Sequence, residues 1–452
     1  MNTVNKQIVS QVIPVTILLI TVYSVLYFLR PSFAMLAPLN NTTLWWGISS
    51  LILVAFFFSK HNFIEKRENR NLLFVWIYLL WNIACIVRGM FVAEVYWDWK
   101  GLIGNAMALI LPVVAYSATN RLIVQSILLY YIKYVLPLFL VFAVIIRTDA
   151  YGFYLIPVSF LLLFLPAVTK RWRYLLLATT AIVLVSDLGA RSNVIKFGVP
   201  ILILGIYYLR NIVSIKFLET IRLLLFIVPI VLFGLGVSGI FNVFDMDSYV
   251  QGDFKISGTD MDGSRVEESV TTDTRTFLYE EVLNSAIDNN YWMLGRTPAR
   301  GNDSNSFGYM GFDLTGRYER LSNEIGLANV FTWTGIIGVI LYMIVFFRAS
   351  YLAVNKSRNI YMKLIGLYIA FRWLFSWIED VNNFSLNYFM LWIMMGMCYS
   401  YSFRDMTNKE VVFWIRGIFD ARYIHFQNYL IKKRKYEKSA NSRFTNVLQQ
   451  ES

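Results

Sequence analysis

The sequence predicts an all-α fold, that of a polytopic integral membrane protein with about twelve membrane-spanning helices and one large extracytoplasmic loop. Of its 452 residues, 57% are hydrophobic and only 15% are charged, a far more apolar balance than soluble proteins show. Apolar stretches of about 17–25 residues, enough to cross roughly 30 Å of hydrocarbon, recur along most of the chain. We therefore expect the bilayer to be the main solvent.

The first expected span follows a single lysine and lacks a small-residue cleavage site, which indicates a retained helix rather than a signal peptide. The full set of expected spans covers residues 8–28, 43–59, 71–90, 101–118, 122–146, 152–169, 174–187, 192–209, 222–240, 328–347, 361–378 and 384–402.

Lys and Arg alternate in density between successive connections. Starting inside, the connections assigned to the cytoplasm hold 26 of them, and the opposite short connections hold only Arg30, Lys100, Arg147 and Arg191. This positive-inside bias predicts that both termini lie in the cytoplasm. The net charge of +12 then reflects membrane orientation, and we expect no nucleic-acid partner.

The chain divides into four regions: helices in 1–240, a loop domain in 241–327, helices in 328–402 and a basic tail in 403–452. The loop holds 15 Asp and Glu against 7 Lys and Arg. We expect its first part, Asp245 to Thr272, to be irregular, and Gly295 to Gly316 to be ordered without repetitive structure. Between them, Asp273 can cap a helix that ends at Asn289-Asn290. We expect this helix to pack on the membrane body through an apolar stripe of Phe277, Leu278, Val282, Ala286 and Ile287.

The tail is amphipathic over about residues 411–435. Phe413, Trp414, Ile418 and Phe419 belong to its apolar stripe, and a basic cluster follows at 432–435. This pattern is typical of a helix on the inner leaflet, attracted to anionic lipid; a coiled coil or partner helix is the alternative.

Several classes of site are not expected. Cys85 and Cys398 fall inside expected spans, so no disulfide framework is predicted. No metal-ligand cluster or nucleotide-binding glycine loop occurs, and we expect no cofactor and no metal. Both histidines, His61 and His425, fall on the cytoplasmic side, which argues against a serine triad or a zinc hydrolase beside the loop.

Charged residues inside spans are candidates for function because they are costly there. Arg88, Lys196 and Arg372 fall in the outward halves of their spans, and Arg191 lies at the outer entrance of another. Four cations at similar depth predict an anion site that faces outward. The alternative is independent snorkelling or ion pairing with nearby carboxylates, namely Glu94, Asp98, Asp187, Glu379 or Asp380.

The loop adds five arginines, whose forked donors suit pyrophosphate or sugar carboxylates: Arg275, Arg296, Arg300, Arg317 and Arg320. Internal ion pairs are the alternative. Candidate general bases are Glu280, Glu281, Glu319 and Glu324, for which a solvated or ion-paired role is the competing interpretation.

Three segments together resemble the O-antigen polymerase and O-antigen ligase superfamily. LVSDLGARSNVIKFGVPIL at 184–202 is similar to its Ser-Arg-Gly/Ala helix start, although Ala190 replaces the usual serine before Arg191. TDTRTFLYEEVLNSAIDNNYWMLGR at 272–296 resembles its loop helix. ERLSNEIGLANVFTWTGIIGVIL at 319–341 resembles the stretch where a polar pair, often His-Asn, precedes a Gly-Ile-Ile-Gly helix, with Ser322-Asn323 at the position of that pair.

The resemblance implies a glycosyltransferase of the cytoplasmic (inner) membrane that joins undecaprenyl-pyrophosphate-linked glycan repeats for O-antigen, capsule or exopolysaccharide. It implies that Arg191 and Arg275 hold the pyrophosphate, and that Asn323 lies beside the substrate. A flippase and a chain-length regulator are the implied protein partners, besides membrane lipid.

The missing histidine favours a polymerase over a ligase and leaves the general base open between residues such as Glu319 and Glu324. A lipid-linked glycan flippase or other transporter also needs many helices and cationic cavities, but transporters often show two related halves. A structural membrane component with a binding loop is the third alternative.

Overall fold

A computed structural model describes residues 3–63, 66–187, 190–245, 249, 255–259, 265–269, 273, 275–380, 382–420 and 422–424. The predictions for His425 and for the basic cluster at 432–435 lie outside the described residues.

The described chain is mostly helical. The helices are α1 (Thr3–Val25), α2 (Thr42–Phe63), α3 (Lys66–Asn69), α4 (Leu73–Val92), α5 (Tyr96–Ile110), α6 (Val114–Ser117), α7 (Arg121–Tyr130), α8 (Leu136–Ile145), α9 (Tyr151–Tyr154), α10 (Ile156–Leu162), α11 (Lys170–Ser186), α12 (Arg191–Tyr208), α13 (Ile215–Val237), α14 (Thr276–Asp288), α15 (Gly308–Thr315), α16 (Gly326–Asn355), α17 (Ile360–Phe375), α18 (Leu386–Tyr399), α19 (Tyr401–Arg404) and α20 (Asn408–Phe419). Short 3₁₀ segments lie at Leu26–Phe28, Pro31–Asn40, Leu111–Val113, Thr148–Ala150 and Leu165–Ala167, and a π-helical segment, Tyr131–Val135, joins α7 to α8.

Seven helical stretches among the described residues are long and apolar enough to cross a membrane: Gln11–Phe28, Thr42–Ser59, Leu73–Val92, Tyr96–Ser117, Arg121–Ile145, Ile215–Val237 and Gly326–Asn355. The chain thus fits an all-α membrane protein. The other five expected spans fall on helices that are shorter or less apolar, so the count of twelve stays a prediction.

The helices differ in how much of their surface other helices cover. Every residue of α18 is buried, and α17 is nearly so. In contrast, only 17% of the residues in the apolar stretch of α13 are buried, and side chains such as those of Leu224, Ile227 and Val231 are exposed. Large exposed apolar surfaces are rare on soluble monomers, so α13 has the character expected of a helix at the lipid boundary.

The amphipathic helix α20 packs against the protein. Trp414 and Ile418 are buried, the Trp414 indole donates to Arg121 O at 3.1 Å, and Gln125 donates to Trp414 O at 2.7 Å. The prediction that this apolar stripe rests on the inner leaflet is therefore wrong for these two side chains, because α7 of the same chain covers them.

The loop is more regular than expected. Two antiparallel hairpins pair β1 (Lys255–Thr259) with β2 (Arg265–Ser269) and β3 (Asn302–Asp303) with β4 (Glu319–Arg320). The predicted irregularity of Asp245–Thr272 is wrong where β1 and β2 pair. The prediction that Gly295–Gly316 lacks repetitive structure is wrong at β3 and α15, which both lie within that stretch.

The loop helix α14 agrees with the prediction from its stripe. Leu278 and Val282 are buried against Ile325 and Ala328 at the start of α16. Ile287, at the edge of the stripe, is exposed. The stripe therefore fixes α14 on the membrane body, as expected.

Candidate functional site

The turn between α17 and α18, residues 376–385, carries the adjacent carboxylates Glu379 and Asp380. It meets the start of α16 through backbone hydrogen bonds. Gly326 N donates to Glu379 O at 3.1 Å, and Leu327 N donates to Ser376 O at 2.9 Å. The first N–H groups of a helix lack partners within it, so these two bonds satisfy α16 and hold the turn in place.

The loop helix α14 reaches the same turn. Asp273 Oδ1 accepts from the backbone N–H groups of Arg275 and Thr276 at 2.9 and 3.0 Å, which fixes the start of the helix. Arg275 Nε then donates to Ile378 O at 3.1 Å, and the Tyr279 hydroxyl donates to Trp377 O at 2.7 Å. Two side chains one helical turn apart thus bind successive carbonyls of the turn.

Helix α12 is the third helix that contacts the turn, after α16 and α14. Lys196, only 1% exposed, lies 3.2 Å from Glu379 Oε1 and 3.1 Å from Ser192 Oγ. Arg191 is exposed and is the first residue of α12. The helix therefore directs one buried cation at the turn and starts with another cation at the same end of the protein.

Arg372, on the last turn of α17, has spare hydrogen-bonding capacity. Its Nη1 donates to Asn387 Oδ1 at 2.8 Å. Its Nε and Nη2 are buried without a hydrogen-bond partner, and the residue is 1% exposed. Lys196 lies within its electrostatic range. Buried donors without partners are rare and costly, so this position is one where an anion would be stabilised.

Glu324 connects two arginines at the surface. Its carboxylate lies 2.8 Å from Arg275 Nη1 and 3.2 Å from Arg320 Nη2, and its side chain is 57% exposed. Arg320 stacks over the Phe307 ring at 4.4 Å, and its Nη1 is buried without a hydrogen-bond partner. Glu324 is therefore the most accessible of these carboxylates, and it is placed between two guanidinium groups.

An asparagine network lies beneath Glu324. Asn323 N donates to Asn329 Oδ1 at 2.6 Å, and Asn329 Nδ2 donates to Asn323 O at 2.8 Å and to Asp380 Oδ1 at 3.4 Å. Asn382 N also donates to Asp380 Oδ1 at 3.0 Å. Burial of the Asp380 carboxyl raises its pKa to about 6, and Glu379 adds to this effect. The network holds the chain just before α16 against the turn.

These contacts define what we name the turn cluster. It contains four cations and three carboxylates: Lys196, Arg275, Arg320, Arg372, Glu324, Glu379 and Asp380. With four cations against three carboxylates, the cluster has a surplus of one positive charge.

A second group, the loop cluster, surrounds Glu319, which is 3% exposed. Arg300 grips both carboxylate oxygens of Glu319, Arg296 Nη2 lies 3.1 Å from Oε1, and Arg317 Nε lies 3.5 Å from the same oxygen. The complete cluster contains Glu94, Asp98, Arg296, Arg300, Asp303, Arg317 and Glu319.

The loop cluster has more carboxylates than cations. Arg296 pairs with Asp303 at 2.7 Å, and Arg317 pairs with Asp98, which is fully buried, and with Glu94. Hydrogen bonds from Arg300 to Glu319 raise the pKa of that guanidinium. Although partial burial acts in the opposite direction, Arg296 holds the pKa of Asp303 below its usual range. These pairs tie β3, β4 and α5 together.

Arg88 takes part in a break in α16. Gly335 inside this helix has φ 67° and ψ −173°, and the turn 291–296 docks there. Arg296 N donates to Thr332 O at 2.7 Å, and Ile336 N donates to Trp292 O at 2.9 Å. Arg88 donates to Leu294 O and Gly295 O at 2.7 and 3.1 Å. The loop thus satisfies backbone groups that the break releases.

The predicted site residues therefore separate into two groups. The turn cluster contains Arg275, Glu324, Lys196, Arg320 and Arg372, with Asn323 beneath it and Arg191 at the same end of α12. The other group, Arg88, Arg296, Arg300, Arg317 and Glu319, contacts carboxylates or backbone carbonyls in the loop. Those contacts favour a structural role for the second group, in line with the ion-pairing alternative.

Sequence reasoning considered Glu379 and Asp380 only as ion-pair partners and missed Asn329 and Asn387. The available signal was their position: two carboxylates and two asparagines beside the ends of strongly apolar helices. Among the described residues, no group of three His, Cys, Asp or Glu side chains is arranged to hold a metal ion.

Comparison with known proteins gives no match: no family model, no curated protein and no solved structure corresponds to this chain.

Proposed function

We propose that this protein is a membrane glycosyltransferase that polymerises undecaprenyl-pyrophosphate-linked oligosaccharide repeats on the outer face of the cytoplasmic membrane. One observation carries the proposal. The three segments that resemble the O-antigen polymerase and ligase superfamily are far apart in sequence, yet each contacts the same turn, through Lys196, Arg275 and Gly326.

The charge of the turn cluster suits this substrate. When the anomeric carbon leaves a lipid diphosphate, negative charge grows on the leaving group, and prepositioned guanidinium groups stabilise it. The cluster supplies four cations, and Arg372 and Arg320 have buried donors without hydrogen-bond partners. In the loop cluster four carboxylates meet three arginines, so it has no surplus of positive charge, which supports placing the diphosphate beside the turn.

The proposed reaction needs one base and no cofactor. A sugar hydroxyl of one repeat attacks the anomeric carbon of the lipid-linked chain, the new glycosidic C–O bond forms, and the C–O bond to the diphosphate breaks. The hydroxyl proton passes to Glu324. In the structure this carboxylate is paired with Arg275 and Arg320. A diphosphate that engages both guanidinium groups would release it, and loss of two cationic partners makes a carboxylate a stronger base.

The alternatives use the same site differently. A ligase would transfer the finished glycan to lipid A core, protein or wall, and Ser322 occupies the position where the resembling ligases often have histidine. A flippase is favoured by broken helices that line a cavity. In this protein the break at Gly335 is filled by the turn 291–296, which is less suited to transport.

The decisive experiment supplies purified protein in detergent with a synthetic lipid-linked repeat unit and resolves the products on a gel. A ladder of products supports the polymerase. Transfer to an added acceptor without a ladder would indicate a ligase, and substrate movement across a vesicle without new bonds would indicate a flippase. Arg275→Gln should give no ladder. The matched control is Arg358→Gln, an exposed arginine with one ion pair, to Asp405 at 3.3 Å.

In cells, the proposed partners are a flippase that delivers the repeats and a regulator of chain length. The proposed orientation, with both termini in the cytoplasm, places the turn cluster outside, where no nucleotide sugar is required.

A further inference from the structure

A cavity of about 490 Å³ lies at the opposite end of the helices from the turn cluster. Residues of α12, α17 and α20, and of the segment after α12, line it: Tyr207, Arg210, Tyr361, Asn408, Lys409, Val412 and Phe413. Its volume falls within the usual range of small-molecule sites, about 300–1,000 Å³.

Two helices fix the position of the cavity. Helix α12 starts at Arg191, beside the turn cluster, and ends at Tyr208; α17 starts at Ile360 and ends where the 376–385 turn begins. They therefore run antiparallel between the two sites, and α12 spans roughly 27 Å at 1.5 Å per residue. The positive-inside rule assigns the cavity end to the cytoplasm.

The charges around the cavity have one sign. Arg210 and Lys409 line it, and none of the lining residues that the structure describes is a carboxylate. Arg210 Nη1 donates to Tyr207 O at 2.8 Å, and its guanidinium stacks over the Tyr207 ring at 4.3 Å. Arg210 and Arg416 both lie within electrostatic range of the Tyr361 hydroxyl. Two arginines thus lie near one tyrosine hydroxyl, and Lys409 adds another cation to the cavity lining.

Apart from Asn408, the rest of the lining is apolar or aromatic. The rings of Tyr207 and Tyr361 lie 5.5 Å apart, and Val412 and Phe413 come from the adjacent face of α20. Cations at the rim and apolar side chains on the wall suit a phospholipid, whose phosphate group is attached to an apolar glyceride. Basic pockets on the cytoplasmic side of membrane proteins bind anionic lipid headgroups. A free phosphate ion would use only the cations.

We propose that this cavity binds the phosphodiester headgroup of an anionic phospholipid from the inner leaflet. Arg210 and Lys409 contact the phosphate, and Val412 and Phe413 contact the glyceride. The site is independent of the proposed glycosyl transfer.

The test uses the full-length protein in detergent, with dioleoylphosphatidylglycerol or dioleoylphosphatidylcholine added and bound lipid counted by native mass spectrometry. We expect the protein to bind phosphatidylglycerol in preference to phosphatidylcholine. In the double variant Arg210→Gln/Lys409→Gln the affinity for phosphatidylglycerol should fall by about tenfold or more. Both altered residues are exposed, so we expect this variant to fold.

The matched control is Arg171→Gln/Lys216→Gln. It removes the same charge from exposed positions at the same end of the protein, and neither residue lines the cavity. Equal loss of binding in the two double variants would show only a general attraction of charge and would overturn the proposal. Equal binding of the two lipids by the wild type would also overturn it. Competition by inorganic phosphate or glycerol 3-phosphate as strong as by the lipid would assign the cavity to a soluble phosphate instead.

Discussion

The turn cluster and the loop cluster are both rich in arginine, but their charges are balanced differently. In the loop cluster three arginines meet four carboxylates, and Glu319 at its centre is 3% exposed. In the turn cluster four cations meet three carboxylates, and Glu324 is 57% exposed. Carboxylates within the protein outnumber the arginines of the loop cluster, whereas the turn cluster keeps one positive charge in excess.

This difference teaches that an arginine-rich segment is no guide to a binding site until its partners are known. A buried carboxylate that pairs with several guanidinium groups holds a fold together. Removing one partner of such a buried ion pair is strongly destabilising. An exposed carboxylate between two guanidinium groups contributes little to stability and is free to exchange partners. We therefore expect substitutions in the loop cluster to reduce stability and those in the turn cluster to reduce activity.

The largest effect on stability is expected for Glu319→Gln. It removes the charge that Arg296, Arg300 and Arg317 share, and we expect a loss of about 3–5 kcal/mol, as for breaking a buried ion pair. Thermal unfolding in detergent measures this. Glu324→Gln is the comparison and should change the stability by less than about 1 kcal/mol. A loss of stability in Glu324→Gln as large as in Glu319→Gln would contradict the distinction.

Next comes the loss of activity in Arg275→Ala and Arg191→Ala. If these arginines stabilise the leaving diphosphate, polymerisation should slow by about 10²–10³-fold, the range seen when one group that stabilises a transition-state anion is removed. Both proteins should still insert in the membrane, which an immunoblot of the membrane fraction checks. Wild-type polymer length distributions in both variants would remove the two residues from the site.

Glu324→Gln also tests the proposed base. We expect folded protein with turnover reduced by about 10²-fold or more, the range typical of a general base. Full turnover by the purified variant would rule out Glu324 in this role. Glu319→Gln, examined at a temperature where it remains folded, supplies the corresponding test for the other candidate.

A smaller effect is expected for Gly335→Ala. The backbone of Gly335 lies in a region that is essentially restricted to glycine, and a Cβ there would contact Met293 O and Gly295 N too closely. We expect a destabilisation of about 1–3 kcal/mol, measured by thermal unfolding. Gly198→Ala in α12 is the control, because a Cβ at that position meets no atom within 4 Å. Equal stability of the two variants would contradict docking of the loop in the α16 break.

The last effect concerns pH. Burial raises the pKa of Asp380 to about 6, whereas an unfolded Asp titrates near about 3.9. The folded protein therefore binds this proton more tightly, so its stability should fall as the pH rises from about 4 to 6 and then level off. Asp380→Asn should remove this component from the pH dependence of thermal unfolding. An unchanged pH dependence in the variant would contradict the assigned titration.

Much of the helical framework was predictable, because long apolar runs and the stripe of α14 are local patterns. The proximity of Lys196 and Arg372 was partly predictable as well: the expected topology put both at the same end of their spans, and both lie beside the same turn. The ion pair between Arg300 and Glu319 was harder to predict from the sequence. It depends on the pairing of β3 with β4, which no local pattern indicates, so ion pairing of the loop arginines was only an alternative.

Other features depend on tertiary contacts that no local pattern carries. The break at Gly335 lies within an apolar run that predicts one continuous span. The docked turn 291–296 forms hydrogen bonds with the backbone groups that the break leaves without helical partners. The hairpin of β1 and β2 has the Asp, Gly and Ser content of an irregular loop. The apolar side of α20 was expected to face lipid, but α7 covers part of it. Periodicity shows that a face is apolar and does not show what covers that face.

The central claim is that the lipid diphosphate binds at the turn cluster, and not at the arginines that hold the loop, such as Arg88. Direct binding of undecaprenyl pyrophosphate to the purified protein, with undecaprenyl monophosphate as the comparison ligand, tests it for the wild type, Arg275→Gln and Arg88→Gln. We predict that the wild type prefers the diphosphate, that Arg275→Gln raises its Kd by about tenfold or more, and that Arg88→Gln leaves it unchanged. Equal Kd values for the wild type and Arg275→Gln, or a larger increase in Arg88→Gln, would contradict the account.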